Sequence, residues 1–156
     1  MERFESNQEF SKGALAGLAA GAVMFVFVEL FHWLGLTHYG ISYLAGDTVF
    51  TYRNNLLMNL IAFGIHCGAG MWWGIVLAFL FTKAFSSQKY RLKILFCCFC
   101  IFFFHLGFLD EFFHYDREIH RQTLDLVIIL LGYQVYGLVL SYGLRKLKLI
   151  DPAGFA

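Results

Sequence analysis

The chain has 156 residues and a formal net charge of +1, with 59% hydrophobic, 19% aromatic and only 15% charged residues. A soluble domain carries about 25% charged residues, and a chain this short cannot hide 19 phenylalanines and its other apolar side chains from water. The composition therefore excludes a water-soluble domain and points to an all-α integral membrane protein whose main partner is the lipid bilayer; with no long basic run, nucleic acid is not an expected partner.

Residues 1–12 carry Glu2, Glu5 and Glu9 against Arg3 and Lys12. The basic n-region of a signal peptide is missing, so this segment is expected to stay in place as a cytoplasmic N-segment. Four apolar stretches follow, at 13–36, 55–81, 92–113 and 124–144. Each is long enough to cross a hydrocarbon core, which takes about 20 helical residues. Backbone groups in lipid must be satisfied within the segment, so helices are expected rather than open strands. The one proline, Pro152, lies outside every span. Together these features predict a single membrane domain, a four-transmembrane-helix bundle, with 145–156 as its tail.

The first span opens with Gly13, Gly17 and Gly21, and the second offers Gly64 with Gly68 and Gly70 with Gly74. Small residues at four-residue spacing let helix backbones approach closely. Their partners are either helices of the same chain or those of a homo-oligomer or larger membrane complex. The connection 38–52 carries Tyr39, Tyr43, Phe50 and Tyr52 around a Gly46-Asp47 turn, as expected of an interfacial loop. The next connection holds Lys83, Lys89, Arg91 and Lys93, and the tail begins Arg145-Lys146. Nine of the twelve Lys and Arg residues thus fall on one side, and Arg53, Arg117 and Arg121 on the other. The positive-inside rule predicts cytoplasmic N- and C-termini in the inner (cytoplasmic) membrane.

This topology sends the ionisable groups to the outer half. Glu29 and His32 close the first span, and Glu111 and His114 close the third. His38, Asp47, Asp116, Glu118 and His120 fall in the outer connections, and Asp125 opens the last span. Glu29, His32 and His38 share their relative spacing with Glu111, His114 and His120, and an aromatic residue follows each first histidine. The repeat reflects either an old duplication of a helical hairpin, giving two pseudo-repeated halves, or a coincidence of spacing.

Glu-x-x-His puts a carboxylate and an imidazole one helical turn apart on one face. Two such pairs on facing helices can hold a metal inside a bundle. Glu29, His32, Glu111 and His114, supplemented by His38, His120 and Asp125, are therefore the candidate ligands for a divalent transition metal such as Zn, Fe or Cu. The same residues would equally form a hydrogen-bonded cluster at the interface. His66 and His105 form a second constellation near the midplane. They are candidate axial ligands of a haem b, or imidazoles satisfied by Tyr133, Gln134 or Tyr136.

Cys67, Cys97, Cys98 and Cys100 all lie in apolar runs and lack zinc-site spacing, so buried thiols are expected. No nucleophile elbow or triad spacing is present, leaving enzymatic activity without a sequence signal. Three readings remain: a metal-binding or transport protein with an outward Glu/His site, a non-catalytic accessory subunit, and a haem-carrying redox subunit.

The stretch Gly13-Ala14-Leu15-Ala16-Gly17-Leu18-Ala19-Ala20-Gly21 and the late run Val135-Tyr136-Gly137-Leu138-Val139-Leu140 resemble small bacterial inner-membrane proteins with four helices, including the YagU-like group. The resemblance follows the order of the segments and implies location and fold. It implies no reaction and does not account for the duplicated Glu/His pattern.

Overall fold

The computed structural model describes residues 2–47, 55–85, 88–109 and 123–150. Helix α1 spans Glu2–Trp33, α2 spans Ile41–Asp47, α3 spans Leu56–Lys83, α4 spans Tyr90–Phe104 and α5 spans Thr123–Lys146. The end of α4 loosens into a π-helical turn, His105–Leu109. No strand occurs among the described residues. Four helices are long and apolar enough to cross a membrane, over Asn7–Trp33, Leu56–Lys83, Tyr90–Gly107 and Thr123–Lys146.

Local chemistry sets the helix ends. Asn55 sits in extended backbone before α3, and its side chain accepts the Met58 N–H, the usual service of an N-cap amide. At the end of α1 the Leu36 N–H reaches the Phe31 carbonyl and the Gly35 N–H reaches the His32 carbonyl. Gly35 has a φ of +70°, and this left-handed residue closes a Schellman turn. That turn stops α1 at Trp33, three residues short of the apolar run. Lys148, with a φ of 56°, plays the same part after α5.

Across the bundle the order is α3, α1, α5, α4. Helix α1 packs on both α3 and α5, while α4 lies against α5. The glycine spacing makes the first of these contacts. A Cβ on Gly74 would come within 2.6 Å of the Gly17 Cα, and a Cβ on Gly17 would strike the Gly70 carbonyl. The partner of Gly13, Gly17 and Gly21 is therefore α3 of the same chain. Gly64 and Gly68 differ: a Cβ there would meet nothing within 4 Å, because that face of α3 points away from the other described helices. Tyr136 of α5 reaches across to donate to the Gly70 carbonyl at 2.7 Å, a bond that ties α5 to α3 over the glycine seam. At the far end of α1 and α3 Lys83 meets Glu9 at 3.4 Å.

The core contains Val28, Leu77, Ile94, Cys98, Leu140 and Leu144. Outside it, Leu57, Trp72, Leu92 and Phe96 are each more than half exposed. An exterior of large apolar side chains on every long helix matches a lipid-facing surface rather than a water-facing one. Of the four free cysteines expected as buried thiols, Cys67 and Cys98 are buried, Cys97 is half-buried and Cys100 is exposed on the apolar exterior.

The segment expected as an interfacial loop contains α2. Its Gly46-Asp47 pair lies in the last turn of that helix rather than in a reverse turn. Seven residues cannot hold a helix alone, since nucleation is costly; α2 persists because it packs on α3 and α1.

Candidate functional site

Two polar clusters occur among the described residues, one at the end of the bundle that carries α2 and one beneath it. The first begins on α1, whose last turns place Glu29 and His32 on one face. Glu29 is 3% exposed, and its Oε1 accepts the Ser42 N–H at 2.6 Å. Ser42 is the second residue of α2. Glu29 thus satisfies one of the N–H groups left open at a helix start and sets a carboxylate at the positive end of the helix. The fit depends on Gly40, where an added Cβ would come within 2.5–2.8 Å of the Glu29 carboxylate atoms.

His32 Nδ1 bonds the Thr37 carbonyl at 3.1 Å. A carbonyl only accepts, so Nδ1 carries the proton. Asp125, 1% exposed in the first turn of α5, accepts the His38 N–H on Oδ1 at 3.1 Å. Its Oδ2 lies 3.9 Å from His38 Nδ1, beyond hydrogen-bond reach, and has no hydrogen-bond partner among the described residues. Glu29, His32 and Asp125 therefore clamp the backbone of residues 37–42 from two helices and hold α2 over the bundle end.

The structure brings Glu29, His32, His38 and Asp125 to one end of the bundle. Glu111, His114 and His120, with Asp110, Asp116 and Glu118, lie outside the described residues. Among the described residues, no three His, Cys, Asp or Glu side chains are grouped to hold a metal ion.

The second cluster lies beneath α2. A cavity of about 220 Å³ runs from Ile41 and Leu44 of α2 down to His66, His105 and Tyr133. A smaller space of about 50 Å³ continues past the same three residues toward Trp73 and Tyr136. Trp73 Nε1–H donates to His105 Nε2 at 3.2 Å. Indole nitrogen is only a donor, so Nε2 must accept and the neutral ring carries its proton on Nδ1. That proton goes to the Tyr133 hydroxyl oxygen. His105 thus spends both nitrogens on protein partners at the start of the π-helical turn. His66 differs: its buried Nε2 has no hydrogen-bond partner among the described residues.

Bis-histidine ligation of a haem needs an available nitrogen on each ring; in this structure both nitrogens of His105 are engaged, by Trp73 and by Tyr133.

Of the groups expected to satisfy the midplane imidazoles, Tyr133 does so. Tyr136 instead bonds the Gly70 carbonyl, and the Gln134 amide nitrogen is buried without a partner among the described residues. Sequence reasoning missed Trp73, although its position seven residues after His66 puts both on one face of α3. Gly40 gave no signal, since its role appears only once Glu29 folds against it.

No protein-family model matches the chain, and no similar curated protein or solved structure was found.

Proposed function

We propose that this is a multi-pass inner-membrane protein that binds a small molecule, in a binding or transport role, in the cavity beneath α2. With both termini cytoplasmic, α2 lies at the outer face and the cavity lies on that side of the bundle. The observation that carries the reading is a cavity of about 220 Å³ whose lining includes His66, a residue whose buried Nε2 has no partner among the described residues. Leaving such a group unsatisfied costs about 1–3 kcal/mol, which a bound molecule would relieve. Native mass spectrometry of the protein released from detergent tests this. A small-molecule adduct on the wild type and none on His66→Leu is expected; bare protein in both cases overturns the reading.

A second reading keeps the outer Glu/His cluster as a divalent transition-metal site. It is favoured by the unpartnered Asp125 Oδ2, with the exposed His38 imidazole 3.9 Å away. Elemental analysis should then find stoichiometric Zn, Fe or Cu, lost in Asp125→Asn and in His114→Ala. Metal-free protein whose stability ignores chelator overturns it.

A further inference from the structure

We propose that a groove along α4 holds one anionic phospholipid, its phosphate among the cations at the start of that helix and an acyl chain against the apolar wall. The groove shares no lining residue with the cavity beneath α2 and is independent of what that cavity binds. It has a volume of about 800 Å³ and follows α4 from Leu92 to Phe99, with Phe85 after α3 and Gln134 of α5 completing the lining. Leu92 and Phe96 are each 66% exposed, so this wall is open to the surroundings of the bundle. From Lys93 to Phe99 the helix rises about 9 Å, a course that leads from the end of the bundle into its apolar zone. Among the described lining residues Lys93 alone is charged. A lysine on an apolar wall lays its stem along that wall and keeps its ammonium at the polar end.

The charge pattern names the headgroup. A Cβ on Gly137 of α5 would meet Leu95 and Cys98 of α4, and the rings of Tyr133 and Phe102 lie 5.7 Å apart, so the two helices run in opposite directions. The last turn of α5 therefore sits beside the first turn of α4. It brings the exposed Arg145 and Lys146 to the end that already carries Lys89, Arg91 and Lys93. The sole acidic residue on α4 or α5 is Asp125, at the other end of α5, and Glu9 of α1 is engaged by Lys83. An apolar groove that ends among these cations is complementary to an amphiphile with an anionic head, and Lys and Arg at a membrane surface attract anionic lipid in this way. A zwitterionic head brings its own cation and gains less. A second copy of the chain seated here by two-fold symmetry would bring the same set of cations to one seam, a like-charge arrangement that is disfavoured.

The test titrates delipidated full-length protein in detergent with dioleoyl phosphatidylglycerol or dioleoyl phosphatidylcholine and counts bound lipid by native mass spectrometry. One phosphatidylglycerol per chain is expected, preferred over phosphatidylcholine by about fivefold or more, the value of one lysine near an anionic surface. Lys93→Gln should weaken phosphatidylglycerol about fivefold and leave phosphatidylcholine unchanged, while Lys93→Arg should bind as the wild type does. Phe96→Ala removes part of the apolar wall and should weaken both lipids alike. Lys12→Gln, on a helix that does not line the groove, and His66→Leu, in the cavity beneath α2, should change neither. Equal affinity of the two lipids for the wild type overturns the anionic assignment. Equal losses in Lys93→Gln and Lys12→Gln trace the preference to overall charge and overturn the groove as its site. Full release of the lipid by excess inorganic phosphate, or no effect of Phe96→Ala, overturns the acyl-chain seat. Protein that binds neither lipid and runs as a dimer gives the groove to a second copy and overturns the proposal outright.

Discussion

At the residue scale, Glu29 shows how one side chain can carry two opposite readings. A carboxylate inside an apolar helix is costly unless it is paired or protonated, and from sequence alone that cost suggests a metal. The structure supplies another partner, the Ser42 N–H of α2 at 2.6 Å. Glu29→Ala should leave that N–H buried and unsatisfied, lowering stability by about 1–3 kcal/mol and increasing hydrogen exchange over residues 41–47. Glu29→Gln keeps an acceptor oxygen and should fall between the wild type and Glu29→Ala. Thermal unfolding in detergent and exchange mass spectrometry read the two effects. An unchanged exchange rate in Glu29→Ala would show that α2 is held by packing alone. The sequence located this residue correctly as one in need of a partner. It could not name the partner, because Ser42 N–H is a backbone group and leaves no trace in residue identity.

At the scale of elements, the glycine spacing was legible as a packing signal, but not which glycines would use it. Gly17 and Gly74 meet backbone to backbone, whereas Gly68 faces open space. Gly17→Ala should therefore destabilise the protein by about 1–3 kcal/mol, the usual penalty for overfilling a tight contact. Gly68→Ala should be neutral or slightly stabilising, since alanine favours the helix. The contrast is read from the two melting temperatures in one detergent; equal losses would mean that Gly68 has a partner. Helix ends make a related prediction. Lys148 holds a φ of 56° in the turn after α5, a conformation that glycine adopts without cost. Lys148→Gly should raise stability by about 0.5–1 kcal/mol, and a fall in melting temperature would count against the Schellman assignment there. Helix α2 escaped the sequence because its stability is tertiary: tyrosines and glycines in a short polar-flanked stretch also describe an interfacial loop.

For the whole molecule, the four long apolar helices were legible from hydropathy and length, because both are properties of contiguous sequence. The pairing of α1 with α3 and α5, and of α4 with α5, was not, because each helix is apolar all round and offers no single stripe to orient it. The cavity was still less legible. It is walled by several separate segments, and only the imidazoles marked its place. Orientation rests on the nine-to-three bias of Lys and Arg and has a direct check. A fluorescent reporter that matures only in the cytoplasm, fused after Ala156, should be bright, and an alkaline phosphatase fused there should be inactive. The opposite pattern inverts the topology and moves α2 and the cavity beneath it to the cytoplasmic side.

The Tyr136 bond to Gly70 limits how this bundle can deform. A helix can slide along its neighbour only in steps of about one turn, roughly 5.4 Å, and a single step would carry the phenol off its carbonyl and push side chains into the glycine seam. Helices α1, α3 and α5 are thereby indexed against one another like gear teeth. Any change in the volume under α2 must come from the two walls outside that lock, the α2 cover and the π-helical end of α4. A guest would therefore enter past one of those walls, against the bonds that hold α2, rather than by spreading α1, α3 and α5.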